Sequence, residues 1–94
     1  MIILKVFISL PMQRKFKYKN SYSLNRDLGI ALKRVRNKKG IKQVELADTV
    51  GVNRSYISEL EAGKRNPTVE TLVLICTALE VPISKVFIDA ESIQ

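Results

Sequence analysis

The stretch Gln43 to Glu61, QVELADTVGVNRSYISELE, reads as two short helices joined by a tight turn. In its first half Val44, Leu46, Ala47 and Val50 recur at three- and four-residue steps, the spacing of one inward helical face. Gly51 ends that helix, because glycine adopts the left-handed backbone that residues with a Cβ resist. Asn53 is suited to cap the next helix, since its side-chain oxygen can accept from free N–H groups at a helix start. In the second half Val52, Tyr56, Ile57 and Leu60 form the apolar set. Arg54, Ser55, Ser58 and Glu59 occupy the opposite face, next to a helix N-terminus, where polar groups can meet phosphates and base edges.

Counted from Gln43, the stretch has Ala47 fifth, Gly51 ninth, Ile57 fifteenth and Leu60 eighteenth. In this it resembles the helix-turn-helix of the phage-repressor-like (Cro and repressor type) DNA-binding superfamily. The continuation Glu61-Ala62-Gly63-Lys64-Arg65-Asn66-Pro67-Thr68, with Arg54-Ser55-Tyr56-Ile57-Ser58, is similar to restriction-modification controller proteins, small dimeric regulators within that superfamily. The likeness covers residues 28 to 87. It implies an all-α, compact five-helix repressor-like domain containing the helix-turn-helix. It also implies a homodimer on double-stranded DNA, with an inverted-repeat operator and RNA polymerase as a candidate further partner. Phage-type or chromosomal repressors share much of the pattern, and an antitoxin-like interaction protein is a second class of reading.

The resemblance assigns roles residue by residue. Arg36 falls where the family places an arginine that pairs with a glutamate ending the recognition helix, here Glu61. Gln43 falls where the family has a glutamine that reaches a DNA phosphate. Lys42 departs from the Ser or Thr usual there as a cap; Glu45 supplies the expected acid three residues on, but an ammonium cannot accept a backbone hydrogen bond. A weaker cap is expected, offset by a Lys42-to-phosphate contact. Arg54 is the expected base reader, with Ser55, Ser58 and Glu59 as secondary candidates. Gln43, Lys42, Tyr56, Lys64, Arg65 and Asn66 are expected on the DNA backbone.

The rest of the chain fits one small domain. Ninety-four residues leave little core to spare, and the formal charge of +7 favours a polyanionic partner. The charge is unevenly spread. Residues 1–25 carry five bases and no acid, residues 26–67 ten bases and five acids, and residues 68–94 one base and four acids. DNA is therefore expected to meet the first two-thirds. There is no histidine and a single cysteine, Cys76, set among Leu72, Val73, Leu74, Ile75 and Leu79. That rules out a Ser-His-Asp triad and any Cys/His zinc cluster within one chain. A buried thiol without a partner fits a reducing, cytoplasmic setting. No clustered nucleophile, paired carboxylates or cofactor loop is visible, so neither an enzyme nor a bound cofactor or metal is expected. No apolar run approaches the length of a membrane span.

Residues 1–23 read as an N-terminal extension, 24–89 as the DNA-binding and dimerisation domain, and 90–94 as a frayed tail. The apolar opening MIILKVFISLP could be a strand pairing with a second subunit or an extension from an upstream start, Met12 opening a sensible shorter chain. The basic run Gln13 to Lys19 is either a DNA-following arm or a solvated tail. Ser23 or Asn25 can cap the first helix, with Asp27 near its positive end; Leu28, Ala31, Leu32 and Val35 face inward and Gly40 ends it. Pro67 extends Asn66, Thr68 caps the fourth helix, and Leu72, Ile75, Cys76 and Leu79 form its inner stripe. Pro82 opens the last helix, whose Val86 and Phe87 close the core. Val73, Leu74, Thr77, Ile83 and Ile88 remain as a candidate dimer surface.

Overall fold

The computed structural model describes residue 18 and residues 20–93. Readings of the apolar opening, of Met12 and of most of the basic run concern positions outside the described residues. Five helices follow in order: α1 Ser21–Lys38, α2 Gln43–Val50, α3 Arg54–Glu61, α4 Val69–Ala78 and α5 Ile83–Glu91. No strand occurs among the described residues. α1 is the long element against which α3 and α5 pack, while α2 bridges α3 and α4. None of the others exceeds ten residues. Helices that short are unstable alone in water and depend on burying an apolar face.

That face is one contiguous core. Leu28, Ala31, Leu32 and Val35 of α1 meet Leu46 and Ala47 of α2 and Ile57 and Leu60 of α3. Leu72, Ile75 and Cys76 of α4, Leu79 just after it, and Val86 and Ala90 of α5 complete it. Phe87 packs against this cluster only partly buried. Cys76 is buried and free, and burial pushes its thiol up.

Several local expectations are corrected. α1 starts at Ser21, capped by Asn20, whose side-chain oxygen accepts from the Ser23 N–H at 3.1 Å; neither Ser23 nor Asn25 is the cap. Asp27 does not sit near the positive end of α1: it is the seventh residue of the helix, beyond the first turn, and is fully buried. It accepts from the Tyr18 hydroxyl and from Arg26 Nε, each at 3.1 Å, which holds Tyr18 against α1. Burial and this hydrogen bond push the Tyr18 phenol up to about 12. Val44 is 47% exposed, because it lies roughly 200° around the α2 axis from Leu46. Residues 90–93 are not a frayed tail: α5 runs through Glu91, Ala90 is fully buried, and Ile93 is 9% exposed.

Three helix ends, those of α1, α3 and α4, share one pattern. After α1 the N–H of Gly40 reaches the Asn37 carbonyl and that of Ile41 the Arg36 carbonyl, at 3.0 and 3.1 Å. After α3 the Gly63 N–H reaches Leu60 and the Lys64 N–H reaches Glu59, at 3.1 and 2.9 Å. These paired bonds satisfy carbonyls the helix leaves free. After α4 the same pair runs from Glu80 to Thr77 and from Val81 to Cys76, with Glu80 itself at φ 58° where glycine is usual.

Gly29 sets how closely α1 approaches the end of α3. A Cβ there would lie 2.5 Å from the Leu60 carbonyl oxygen and 2.8 Å from that of Glu61, both backbone atoms that cannot swing aside. Gly29→Ala is therefore expected to cost about 1–3 kcal/mol of stability by forcing the helices apart. Urea unfolding measures it, and an unchanged midpoint and slope would contradict this account of the crossing.

Candidate nucleic-acid interface

α2 and α3 are joined by Gly51, Val52 and Asn53, with Gly51 at φ 87°. Its N–H and that of Val52 both reach the Ala47 carbonyl, at 2.8 and 3.0 Å, so the turn folds back tightly on α2. α2 itself starts without a side-chain acceptor at Lys42, and the Glu45 carboxylate instead accepts the Lys42 backbone N–H at 2.8 Å. That is half of a reciprocal capping box. Asn53 holds the cap position of α3 in extended conformation, yet its side chain makes no capping bond; only its carbonyl serves, accepting from Tyr56 at 3.0 Å.

α3 buries Ile57, Leu60 and Glu61. At about 100° per residue, Ser55 and Glu59 then project most directly away from the core, with Arg54 and Tyr56 on the two flanks and Ser58 between them. Arg54 and Ser55 are exposed, while Tyr56, Ser58 and Glu59 are partly so. Lys64, Arg65 and Asn66 follow α3 as exposed residues. An open cavity of about 430 Å³ beside α3 is lined by Gly51, Val52, Asn53, Ser55, Tyr56 and Arg65.

The polar side chains form two linked sets. In the first, Arg36 Nε donates to Glu61 Oε2 at 2.6 Å and Nη2 to Oε1 at 2.9 Å, both side chains buried, while Nη1 donates to the Ile41 carbonyl at 2.7 Å. Its hydrogen bond to Glu61 holds the Arg36 guanidinium above its usual value against the opposing effect of burial. Gln43 Nε2 donates to Glu61 Oε1 at 2.9 Å, and Gln43 Oε1 accepts from Arg54 Nη1 at 3.0 Å. A continuous chain thus runs from the core to the most N-terminal side chain of α3. In the second set, Arg65 Nε lies 2.9 Å from Glu59 Oε1, and its guanidinium carbon sits 5.3 Å from the Tyr56 ring centroid.

The structure therefore brings Gln43 to Arg54, and Glu59, Arg65 and Tyr56 together with Ser55 beside them, whereas no side-chain hydrogen bond or ion pair among the described residues joins Lys42, Ser58, Lys64 or Asn66 to either set. The candidate dimer residues lie elsewhere, on α4 and α5. Val73, Leu74 and Ile88 are 44%, 48% and 61% exposed. Thr77 is exposed and donates back to the Val73 carbonyl at 2.7 Å, whereas Ile83 is half-buried against the core. Val69, 70% exposed on the first turn of α4, belongs to the same apolar surface and was not singled out from sequence. Nor were the Gln43–Arg54 and Arg65–Glu59 links, which join residues eleven and six apart across turns and so leave no periodic signal.

Removing only one member of the buried pair strands a charge. Arg36→Ala is expected to cost about 3–5 kcal/mol, while Arg36→Met with Glu61→Leu should recover most of that loss. Denaturant unfolding of both variants checks this; a single variant within about 1 kcal/mol of the wild type would contradict the role given to the pair.

Comparison with known proteins agrees with this geometry. Residues 32–86 match the model of the helix-turn-helix family. Transcriptional regulator ClgR of Mycobacterium tuberculosis strain H37Rv is 41% identical over 63 residues, covering 67% of this chain and 56% of the relative. The chain thus spans about half the length of that curated relative. Among solved structures, the clp gene regulator ClgR from Corynebacterium glutamicum superposes with a TM-score of 0.72 at 38% identity, covering 72% of this chain and 87% of the other. The restriction-modification controller protein C.AhdI from Aeromonas hydrophila superposes with a TM-score of 0.68 at 32% identity, covering 70% of this chain and all of the other. With its core, its Gly51 turn and α3 placed as this motif requires, the chain belongs to the helix-turn-helix family.

Proposed function

We propose that the protein is a sequence-specific DNA-binding transcriptional regulator that acts as a homodimer on an inverted repeat. The observation that carries this is α3: a short helix locked into the core by Ile57, Leu60 and Glu61, with Arg54 held out from it by Gln43. Arg54 reads guanine, since a guanidinium bonds O6 and N7 together and discriminates by ~1–3 kcal/mol. Ser55, Ser58 and Glu59 meet neighbouring base edges. Lys42, Gln43, Tyr56, Lys64, Arg65 and Asn66 hold the phosphate backbone, which fixes register without reading sequence. The cavity between Asn53, Tyr56 and Arg65 is open and polar enough to admit a phosphate, so Asn53 joins that set.

Two-fold symmetry in the protein sets two α3 helices about one duplex turn apart, matching an inverted repeat. Val73, Leu74, Thr77, Ile83 and Ile88 form the interface between subunits, with Val69 at its margin. Likeness to C.AhdI supports a controller of a restriction-modification system, and RNA polymerase is then the further partner such a regulator meets. Likeness to ClgR supports the second reading, a chromosomal regulator. In either case the protein works in the cytoplasm, where the DNA lies.

Arg54→Ala is expected to flatten base preference at one position of each half-site while leaving the others intact. Selection of bound duplexes from a random pool reads this out, and an unchanged preference profile would remove Arg54 from the reading set. Leu74→Glu sets a charge against its symmetry-related neighbour and is expected to convert a dimer to monomers. Sedimentation equilibrium distinguishes the two, and an unaltered assembly would place the interface elsewhere.

A further inference from the structure

An acid at the centre of a DNA-reading face needs an explanation. Glu59 lies one turn beyond Ser55, on the part of α3 that projects most directly from the core. A carboxylate there is repelled by the phosphates of any duplex, and only a base donor such as the cytosine N4 amino group compensates for it. The partner it has without DNA is Arg65, at 2.9 Å. Both side chains are about half exposed, so the pair opens easily. The N–H of Lys64 on the Glu59 carbonyl fixes the loop, and Tyr56 supports the guanidinium, which keeps Arg65 within reach of Glu59. Arg65 also lines the cavity with Asn53, Ser55 and Tyr56. It has two competing anionic partners, the Glu59 carboxylate and a phosphate.

We infer that Glu59 determines specificity through Arg65, the pair acting as an exchange clamp; this rests on the DNA-reading function proposed above. On unrelated DNA the pair stays closed and Arg65 is withheld from the backbone. On a half-site that offers a cytosine N4 amino group, Glu59 turns to that base and Arg65 passes to a phosphate. One base identity and one backbone contact are then gained or lost together.

The test uses the full chain, with wild type, Glu59→Gln, Arg65→Ala and the double variant titrated onto the selected duplex and onto an unrelated duplex of equal length. Fluorescence anisotropy at several salt concentrations gives affinity and salt slope. Glu59→Gln keeps the shape and removes the charge. It is expected to tighten binding to the unrelated duplex by roughly eightfold near 0.1 M salt and to steepen its salt slope by about one, the effect of one more neutralised phosphate. Discrimination between the duplexes narrows accordingly. With Arg65→Ala already present, Glu59→Gln should leave the slope unchanged. If Glu59→Gln leaves affinity and slope on the unrelated duplex at their wild-type values while the wild type still prefers its selected site, the clamp is overturned and the DNA-reading function stands. A wild type with no preference between duplexes overturns both.

Discussion

The buried ion pair between Arg36 and Glu61 is the contact on which the functional surface depends. It ties the long first helix to the last residue of α3, and all three guanidinium nitrogens are engaged, the third by the Ile41 carbonyl after α1. The carboxylate has capacity left over, and Gln43 uses it. One charge pair thus fixes three things at once: the α1–α3 crossing, the turn into α2, and the rotamer of the glutamine that holds Arg54. A buried pair of this kind adds little net stability compared with well-packed apolar residues. Its benefit here is geometric, because it prescribes where polar groups end on the outside.

The apolar core supplies the stability that the pair does not. α2 and α3, eight residues each, are too short to persist unless Leu46, Ala47, Ile57 and Leu60 are buried. Gly29 then lets α1 approach the α3 carbonyls closely enough for Arg36 and Glu61 to meet. Packing and polar geometry are therefore consequences of the same crossing. On the outer side, the polar groups are loosely held by comparison: Arg54, Glu59 and Arg65 rest on single hydrogen bonds among exposed or half-exposed groups, which a competing partner would replace at little cost.

Much of the fold was legible because the inward residues recur at helical spacing in every helix from α1 to α5, and because Gly51 and Pro67 punctuate them. The failures are local and have physical causes. Val44 matched the apolar spacing, but an eight-residue helix has room for a narrow buried face only, occupied by Leu46 and Ala47. Ser23 and Asn25 were both plausible caps for α1, but the helix begins earlier, at Ser21, and the side chain of Asn20 accepts from the Ser23 N–H instead. Gly29 looked like an ordinary helical residue until its neighbours across the crossing were known. At the candidate site, spacing marked which residues of α3 face outward, and the Arg36–Glu61 pairing came from the resemblance alone. The links from Gln43 to Arg54 and from Glu59 to Arg65 cross turns, and only three-dimensional placement reveals them.

The central claim is that this surface reads DNA sequence as a symmetric pair. Selection from a pool of random duplexes, followed by sedimentation of the complex with the winning sequence, tests it most directly. The account predicts an enriched inverted repeat with half-sites about one helical turn apart and two chains bound to it. No enrichment, with binding that disappears at physiological salt, would contradict it and leave only non-specific attraction between a basic domain and phosphates.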